Sequence, residues 1–137
     1  MLINKRKFDI RCYSLITSIN GNLKGFFFRD GYLRTSSKEF SIKILNSKVI
    51  HLTNEAVQKN YEDFGKFEPG NKLTFIDFQK YLDQNFSDLN ISFKDHILPQ
   101  IRYYITLCIK SVKHVLDPKG KKHTFEVMMN RYLVLIL

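Results

Sequence analysis

The sequence predicts an α+β domain in which a mainly antiparallel sheet is packed by helices. In the first part of the chain, short strand-like runs alternate with glycine-containing turns, a pattern typical of antiparallel strands joined by hairpins. In the second part, apolar residues recur three or four positions apart over two segments, as on one face of a helix. The length of 137 residues supports one domain with a moderate core, and the 14% of aromatic residues indicates aromatic packing.

The first predicted element is a strand over residues 6–18, which is followed by a turn at 20–22. Because side chains alternate between the faces of a strand, Lys7, Asp9 and Arg11 fall on one face and apolar neighbours fall on the other. The polar face has two interpretations. It could be a solvated surface, or it could bind a ligand, since Asp accepts hydrogen bonds from sugar hydroxyls while Lys and Arg bind phosphate or carboxylate.

Further strands and a long loop are predicted next. Three runs have the composition of strands: residues 23–29, 32–35 and 48–52. The first two are expected to pair antiparallel, and the short segment between the last two has no clear register. Residues 55–71 are polar and contain Gly65, Pro69 and Gly70, which predicts a loop of a length that is usually functional or mobile in compact domains.

Two amphipathic helices are predicted after this loop. The first covers residues 74–85, with aromatic and aliphatic side chains at helical spacing. The second covers residues 97–116, where Pro99 suits the first turn and residues 117–120 end the helix. The first apolar stripe is interpreted as core packing and not as ligand binding. The second is interpreted as a cover for the sheet, with a partner helix as the alternative. Residues 123–126 then resemble the opening of another strand.

The charge pattern indicates an acidic partner. The chain has a net charge of +9 and an isoelectric point near 9.6, which favours binding to an anionic molecule or surface. The basic residues are spread along the sequence, without the basic arm or aromatic motif that is typical of nucleic-acid binding. The apolar runs are too short to span a membrane, so neither nucleic acid nor membrane is expected as a partner.

The cysteines and the amino-terminal residues predict a cytoplasmic location. Cys12 and Cys108 lie far apart in apolar contexts, and both are interpreted as buried free thiols in a reducing compartment. Residues 1–6 become charged too early for the apolar core of a signal peptide.

Polar residues at predicted strand ends form the candidate site. They are Lys7, Asp9, Arg11, Arg34, His51, Thr53 and Asn54. Each has a simpler interpretation by itself, such as a surface charge or a turn after a strand. On three neighbouring strands they could form one polar cleft for a phosphorylated ligand. The four histidines lack metal-ligand spacing, and no common nucleophile or phosphate-loop motif is present.

Several blocks of the sequence resemble the tubulin-tyrosine ligase family, in the order expected. The blocks are residues 7–11, 30–37, 51–54, 56–71 and 78–82. The resemblance extends over about residues 6–126 and implies that residues 1–137 are part of an ATP-grasp ligase domain. It further implies ATP and Mg²⁺ as cofactors and tubulin or microtubules, with their acidic tails, as partners. A cytoplasmic, cytoskeletal or ciliary location follows from the same resemblance.

The resemblance also implies a reaction. An amino-acid carboxylate would be phosphorylated by ATP, and an amine would then displace the phosphate, which adds tyrosine, glutamate or glycine to tubulin. Arg11 and Arg34 would hold carboxylate or acyl-phosphate oxygens as catalytic residues. Lys7 would lie near the nucleotide and Asp9 at its ribose. Thr53 and Asn54 would lie beside the phosphates.

The sequence departs from the family pattern at two places. The family's earlier nucleotide-binding lysines have no counterpart before residue 7, and residues 127–132 do not match the family's Mg²⁺-binding Asp, Glu and Asn. No residue of this chain is therefore predicted to bind metal, and the chain is expected to be catalytically inactive by itself. The alternative function is a non-catalytic basic module that binds acidic tubulin tails or microtubules.

Overall fold

A five-stranded antiparallel sheet forms the centre of the structure, a computed structural model that describes residues 1–19, 22–116 and 125–134. Within those residues the strands are β1 (Arg6–Ile19), β2 (Asn22–Phe27), β3 (Tyr32–Glu39), β4 (Lys72–Thr74) and β5 (Phe125–Val134). The α-helices are α1 (Lys48–His51), α2 (Glu55–Gln58), α3 (Phe75–Asn85) and α4 (Leu98–Leu116). Single turns of 3-10 helix lie at Pro69–Asn71 and Ser87–Leu89, and a π-helical turn lies at Phe93–Ile97. The predicted α+β class is confirmed.

Strand β1 is paired along both of its edges. Its residues 10–18 pair with β5, residues 14–19 pair with β2 and residues 6–11 pair with β3, all antiparallel. Strand β5 pairs with residues of β1 that also pair with β2 and with β3, so β5 occupies one edge of β1. Strands β2 and β3 therefore share the other edge, one after the other. Strand β4 then pairs with β3. The predicted first strand is confirmed, and β3 continues beyond the predicted residues 32–35. The expected pairing of residues 23–29 with residues 32–35 is wrong, because β2 and β3 each pair antiparallel with β1 and lie end to end along its edge.

One face of the sheet packs against α3 and α4 to form the core. Its buried members include Ile10, Cys12, Leu33, Phe78, Leu82, Phe93, Ile101 and Ile105. The rings of Phe75 and Phe93 lie 4.4 Å apart between centroids, and Phe78 lies edge-on to Phe93 at 5.8 Å. Such contacts add to the burial of apolar surface, so the expected aromatic core is confirmed.

Helix α3 begins where the sequence predicts. The Thr74 hydroxyl accepts a hydrogen bond from the Asp77 backbone N–H at 3.0 Å and donates one to its carboxylate at 2.7 Å. This cap satisfies one of the N–H groups that a helix start leaves unpaired. The helix ends at Asn85, and the N–H of the next residue, Phe86, donates a hydrogen bond to the Leu82 carbonyl at 2.8 Å. The predicted helix over residues 74–85 is therefore confirmed.

Helix α4 covers the sheet with its residues up to Ile109. Pro99 lies in the first turn as predicted, and Ile101 and Ile105 are buried against the core. Farther along the predicted stripe, Val112 and Val115 are exposed. The interpretation of the whole stripe as a cover for the sheet is therefore wrong for Val112 and Val115 near the end of the helix.

A buried ion pair joins the start of β1 to the long segment before β4. The Arg6 guanidinium makes two parallel hydrogen bonds to the Glu68 carboxylate, one of them 2.9 Å long between Nη1 and Oε2. The Thr35 hydroxyl donates to the same Oε2 atom at 2.9 Å, and the Phe67 ring lies 4.2 Å from the guanidinium carbon. Only 1% of the Arg6 side chain is exposed.

Two buried amides attach the same segment to β3. Gln58 Oε1 accepts hydrogen bonds from the Ser37 backbone N–H and hydroxyl at 2.8 and 2.6 Å. Asn71 Nδ2 donates to the Thr35 carbonyl at 3.2 Å and to the Ser37 hydroxyl at 2.8 Å. Because these two buried amides are hydrogen-bonded to β3, they fasten the segment between β3 and β4 to the sheet.

The prediction of a strand over residues 48–52 is wrong, because this run forms helix α1. Val49 and Ile50 are neighbours and both are buried, whereas a strand would direct them to opposite faces. Gln58 Nε2 donates to the Val49 carbonyl at 3.0 Å and also to the Leu52 carbonyl. These tertiary bonds hold a helical turn despite the β-branched side chains.

The predicted loop over residues 55–71 is partly helical. It contains α2 and the 3-10 turn at Pro69–Asn71. Gly70 in this turn has a φ of 60°, and Gly65 before it has a φ of 76°. Glycine adopts such left-handed conformations without a steric cost. The predicted strand opening at 123–126 is described only from Phe125, where β5 begins. The predicted helix stop at 117–120 and part of the turn at 20–22 lie outside the described residues.

The two cysteines differ in exposure. Cys12 is buried as predicted, and burial raises the pKa of its thiol to about 11. Cys108 is exposed on the outer side of α4, so the prediction that it is buried is wrong. Both are free thiols, as expected.

We expect a thiol reagent to modify Cys108 and to spare Cys12 in the folded protein. Cys108 is accessible, whereas Cys12 is buried and its raised pKa leaves almost no thiolate near neutral pH. Peptide mapping by mass spectrometry after iodoacetamide treatment measures both sites. A Cys108→Ser variant should stay unmodified until denaturant is added, and equal labelling of the two thiols in the native chain would contradict this assignment.

Removal of one member of the buried ion pair should destabilise the fold strongly. We expect Glu68→Ala to lower the free energy of unfolding by about 3–5 kcal/mol, because it leaves a buried guanidinium without its carboxylate. Urea denaturation measures this loss. A double Arg6→Met, Glu68→Leu variant should lose less than the two single losses added together. Lys80→Ala is the matched control, since it breaks an exposed pair with Asp77 and should leave the midpoint nearly unchanged.

Candidate functional site

The sheet face away from α3 and α4 carries an ion pair between β1 and β3. Asp9 and Arg34 are directly opposite each other in the antiparallel register, so their side chains share this face. Arg34 Nε donates to both Asp9 oxygens at 3.0 Å, and Nη2 donates to Oδ2 at 2.7 Å. Only 6% of the Asp9 side chain and 11% of the Arg34 side chain are exposed. The pair is therefore well shielded from water, where its attraction is stronger than on an open surface.

Thr53 adds a contact from the segment that follows α1. Its hydroxyl donates a hydrogen bond to Asp9 Oδ2. The structure thus brings three of the predicted site residues together, Asp9, Arg34 and Thr53, from three places in the sequence. This arrangement depends on the network around Gln58, which binds the Leu52 carbonyl next to Thr53.

Arg11 lies one pleat farther along the same face. It is opposite Tyr32 in the register, and the Tyr13 side chain is hydrogen-bonded to Tyr32. That bond, and burial to a smaller extent, raise the pKa of Tyr13, while the positive charges of Arg11 and Arg34 act in the opposite direction. Both guanidinium groups therefore act on one surface, as the strand pattern predicts.

Lys7 lies at the other end of this face. Its backbone N–H donates to the Ser36 hydroxyl at 3.1 Å, and its ammonium group is 4.9 Å from the centre of the Phe40 ring. The Phe40 ring meets the His51 ring edge-on at 5.8 Å. Lys7 and His51 thus share an aromatic neighbour, next to the group formed around Asp9. The Lys7 ammonium group is attracted electrostatically to the face of this ring.

Asn54 takes a structural position. It is the residue before α2, and its carbonyl accepts hydrogen bonds from the Val57 and Gln58 N–H groups at 2.9 Å. Its side chain makes no capping bond and the residue is exposed. The interpretation of this residue as a turn after a predicted strand is close to what the structure shows, although the preceding element is a helix.

Lys72 on β4 extends the positive face. It is opposite Arg34 in the β3–β4 register, and its ammonium group lies 5.7 Å from the Tyr32 ring centre. Glu55 at the start of α2 forms an ion pair with it at 2.7 Å, which lowers the pKa of the Glu55 carboxyl. Sequence analysis missed Lys72 because β4 is only three residues long and directly follows the predicted loop.

The residues that position the site were also missed. Arg6, Gln58, Glu68 and Asn71 are polar and nearly inaccessible, and together they hold the segment carrying Thr53 against β3. A sequence gives little sign that a particular Arg or Glu is buried, because such residues are exposed in most proteins. The pairing of Arg6 with Glu68 joins positions 62 residues apart, beyond the reach of any local pattern.

Within residues 1–19 and 22–116, no three His, Cys, Asp or Glu side chains are grouped closely enough to hold a metal ion. No helix in the described part of the chain is long and apolar enough to cross a membrane.

Comparison with known proteins gives a family and several relatives. The model of the family described as "Tubulin-tyrosine ligase family" matches residues 1–132. The Rattus norvegicus protein named "Probable tubulin polyglutamylase TTLL9" is 40% identical over 81 residues, which are 59% of this chain and 17% of the relative. "Tubulin glycylase 3B" of Drosophila melanogaster is 41% identical over 86 residues, which are 60% of this chain and 11% of the relative. The chain spans less than a fifth of the length of these relatives.

A double-mutant cycle tests the contact between Thr53 and Asp9. We expect Thr53→Val to cost about 1–2 kcal/mol of unfolding free energy, because it removes a shielded hydrogen bond to a carboxylate. In an Asp9→Ala background the same change should cost much less. Denaturant unfolding of the four proteins measures the coupling. Equal costs in both backgrounds would show that the two side chains do not interact, and Ser41→Ala on the neighbouring loop is a suitable control.

Proposed function

The chain belongs to the tubulin-tyrosine ligase family, and from this premise we propose that it is part of an ATP-dependent ligase that adds an amino acid to tubulin. The relatives named tubulin polyglutamylase and tubulin glycylase support glutamate or glycine as the amino acid that is added. The observation that carries the proposal is the shared face of β1 and β3, where Arg11 and Arg34 lie beside Asp9 and Thr53.

Arg11 and Arg34 are proposed to bind the oxygens of the reacting carboxylate. A guanidinium is planar and offers paired donors, which match the two oxygens of a carboxylate or an acyl phosphate. Charge that develops on those oxygens would be stabilised by both cations. In the described structure Arg34 already binds one carboxylate in this forked manner, that of Asp9.

The donor set of the site fits a phosphorylated nucleotide. Lys7 offers an ammonium group, and Thr53 and Asn54 offer neutral donors, so these three are the proposed contacts to phosphates. Asp9 is proposed to accept a ribose hydroxyl. Within the described residues its Oδ1 accepts one hydrogen bond while Oδ2 accepts three, which leaves more room at Oδ1. ATP would supply the phosphoryl group that activates the amino-acid carboxylate.

The described residues do not fit Mg²⁺. Magnesium prefers carboxylate and water oxygens in an octahedral arrangement. The Asp9 carboxylate is engaged by Arg34 and Thr53, and the nearby Glu55 is paired with Lys72. No role in the reaction is therefore assigned to a metal bound by these residues.

A chimeric ligase tests the proposed roles. The segment of the Rattus norvegicus relative that aligns with this chain is replaced by the corresponding residues of this chain, and transfer of labelled glutamate to tubulin is measured. We expect Arg11→Ala and Arg34→Ala each to lower kcat/KM by about 100-fold, because each removes charge stabilisation at the reacting oxygens. Lys43→Ala, an exposed lysine outside the site, should leave transfer unchanged.

Several outcomes of this experiment separate the alternatives. The 137-residue chain by itself is the blank, since it remains predicted to be inactive. Full activity of Arg11→Ala and Arg34→Ala chimeras would contradict the proposed roles. Inactive chimeras together with salt-sensitive co-sedimentation of the 137-residue chain with microtubules would favour the alternative of a non-catalytic binding module, to which the net charge of +9 is suited.

A further inference from the structure

A groove lies between β2 and α4, on the sheet face that packs against this helix. Its volume is about 430 Å³, and small-molecule sites in proteins usually have about 300–1,000 Å³. Its apolar walls are formed by Leu23 and Phe27 on β2 and by Ile105 and Ile109 on α4. Ser14 on β1, which is opposite Phe27 in the register, also lines it. The groove therefore has the size and the walls of a site for a small apolar molecule.

One side of α4 forms the helical wall of the groove. The lining positions 102, 105, 106, 109, 110 and 113 recur three or four residues apart, as side chains on one side of a helix do. Ile105 is buried and Ile109 is half-buried. The other four, Arg102, Thr106, Lys110 and Lys113, are exposed. This wall is therefore apolar at its base and polar along its rim.

Three cations of this rim lack a counter-charge within the described residues. Neither α4 nor β2 contains an Asp or Glu, and no ion pair of the described part of the chain involves Arg102, Lys110 or Lys113. The Arg102 guanidinium lies 5.1 Å from the centre of the Phe27 ring, an attractive arrangement of cation and aromatic face. Lys110 and Lys113 are three positions apart, so both can approach one anion. The rim therefore attracts a negatively charged group.

The order of these residues along the groove selects the kind of molecule that it fits. At 1.5 Å per residue, Lys113 lies about 16 Å from Arg102 along the helix axis. Phe27 lies at the Arg102 end, so a molecule bound by the two lysines can extend its apolar part toward this ring. A neutral apolar molecule would leave the cations unpaired, and an inorganic anion would leave the apolar walls uncovered. A molecule with an apolar body and one anionic end matches both.

We propose that the groove binds a small carboxylic acid with an aromatic or aliphatic body. Its carboxylate would lie between the ammonium groups of Lys110 and Lys113, and its body would pack against the apolar walls. Carboxylate and body would lie in one cavity, so both contacts form together. The inference does not rest on the proposed ligase function, because Ser14 beside the groove and Asp9 in the candidate site face opposite sides of β1.

Equilibrium dialysis of the 137-residue chain against three probes tests the proposal. The probes are 2-naphthoate, the neutral 2-naphthalenemethanol, and acetate. We expect 2-naphthoate to bind at least about tenfold more tightly than either of the others, because only it has both the charge and the apolar body. Added salt should weaken its binding, since the lysines are exposed. Equal binding of the neutral probe, or of acetate, would overturn the proposal.

Matched charge variants separate the groove from general basicity. Lys110→Glu with Lys113→Glu should weaken 2-naphthoate binding by about tenfold or more. Lys43→Glu with Lys94→Glu makes the same charge change at two exposed lysines outside the groove and should have little effect. Circular dichroism verifies that both variants are folded. Equal weakening by the two variants would contradict a site at α4.

A second pair of variants tests the cavity itself. Thr106 lines the groove and is exposed, so its replacement removes no core contact. We expect Thr106→Phe to fill part of the groove and to weaken 2-naphthoate binding by about tenfold, whereas Thr106→Ala should leave binding nearly unchanged. Unchanged binding by the folded Thr106→Phe variant would show that the acid binds elsewhere and would overturn the proposal.

Discussion

The buried ion pair between Arg6 and Glu68 is the constraint on which the rest of the structure depends. Removing two charges from water costs several kcal/mol for each ion, and the cost is offset only when geometry and hydrogen bonding are good. Here the two side chains form paired hydrogen bonds, and the Thr35 hydroxyl donates another hydrogen bond to the Glu68 carboxylate. The Phe67 ring covers the guanidinium. Because the partners lie at the start of β1 and just before β4, the pair fastens the end of the segment between β3 and β4 to the sheet.

The geometry of the candidate site follows from that constraint. Once Glu68 is fixed, the amides of Gln58 and Asn71 fasten the intervening chain to β3, and one of these bonds ends at the Leu52 carbonyl. Thr53 is the next residue, and it reaches Asp9 on β1. A loop alone would hold a hydroxyl loosely, whereas this network positions it as a rigid element would. The stability of the fold and the arrangement of the polar face are therefore coupled.

Local patterns predicted the parts of this structure that are governed by local geometry. The two-residue period of β1 placed Asp9 and Arg11 on one face, and the helical spacing of apolar side chains located α3. The same reasoning failed at Val49, where tertiary hydrogen bonds from Gln58 outweigh the preference of β-branched residues for strands. It also failed at Cys108, because periodicity defines a helix face without showing what covers it. The roles of all the predicted site residues remain predictions of the family resemblance. They are Lys7, Asp9, Arg11, Arg34, Thr53 and Asn54.

The alternation of β1 also allows the two surfaces to work independently. Asp9 and Arg11 are directed to one side of the sheet, while Ser14 is directed to the other, where the groove beside α4 lies. A ligand on the polar face would compete for Arg34 with Asp9, whereas the cations that line the groove, Arg102, Lys110 and Lys113, take no part in that pair. Occupation of one surface therefore leaves the donors of the other in place. Any influence between them must pass through the position of β1 itself, which pairing on both edges holds in register.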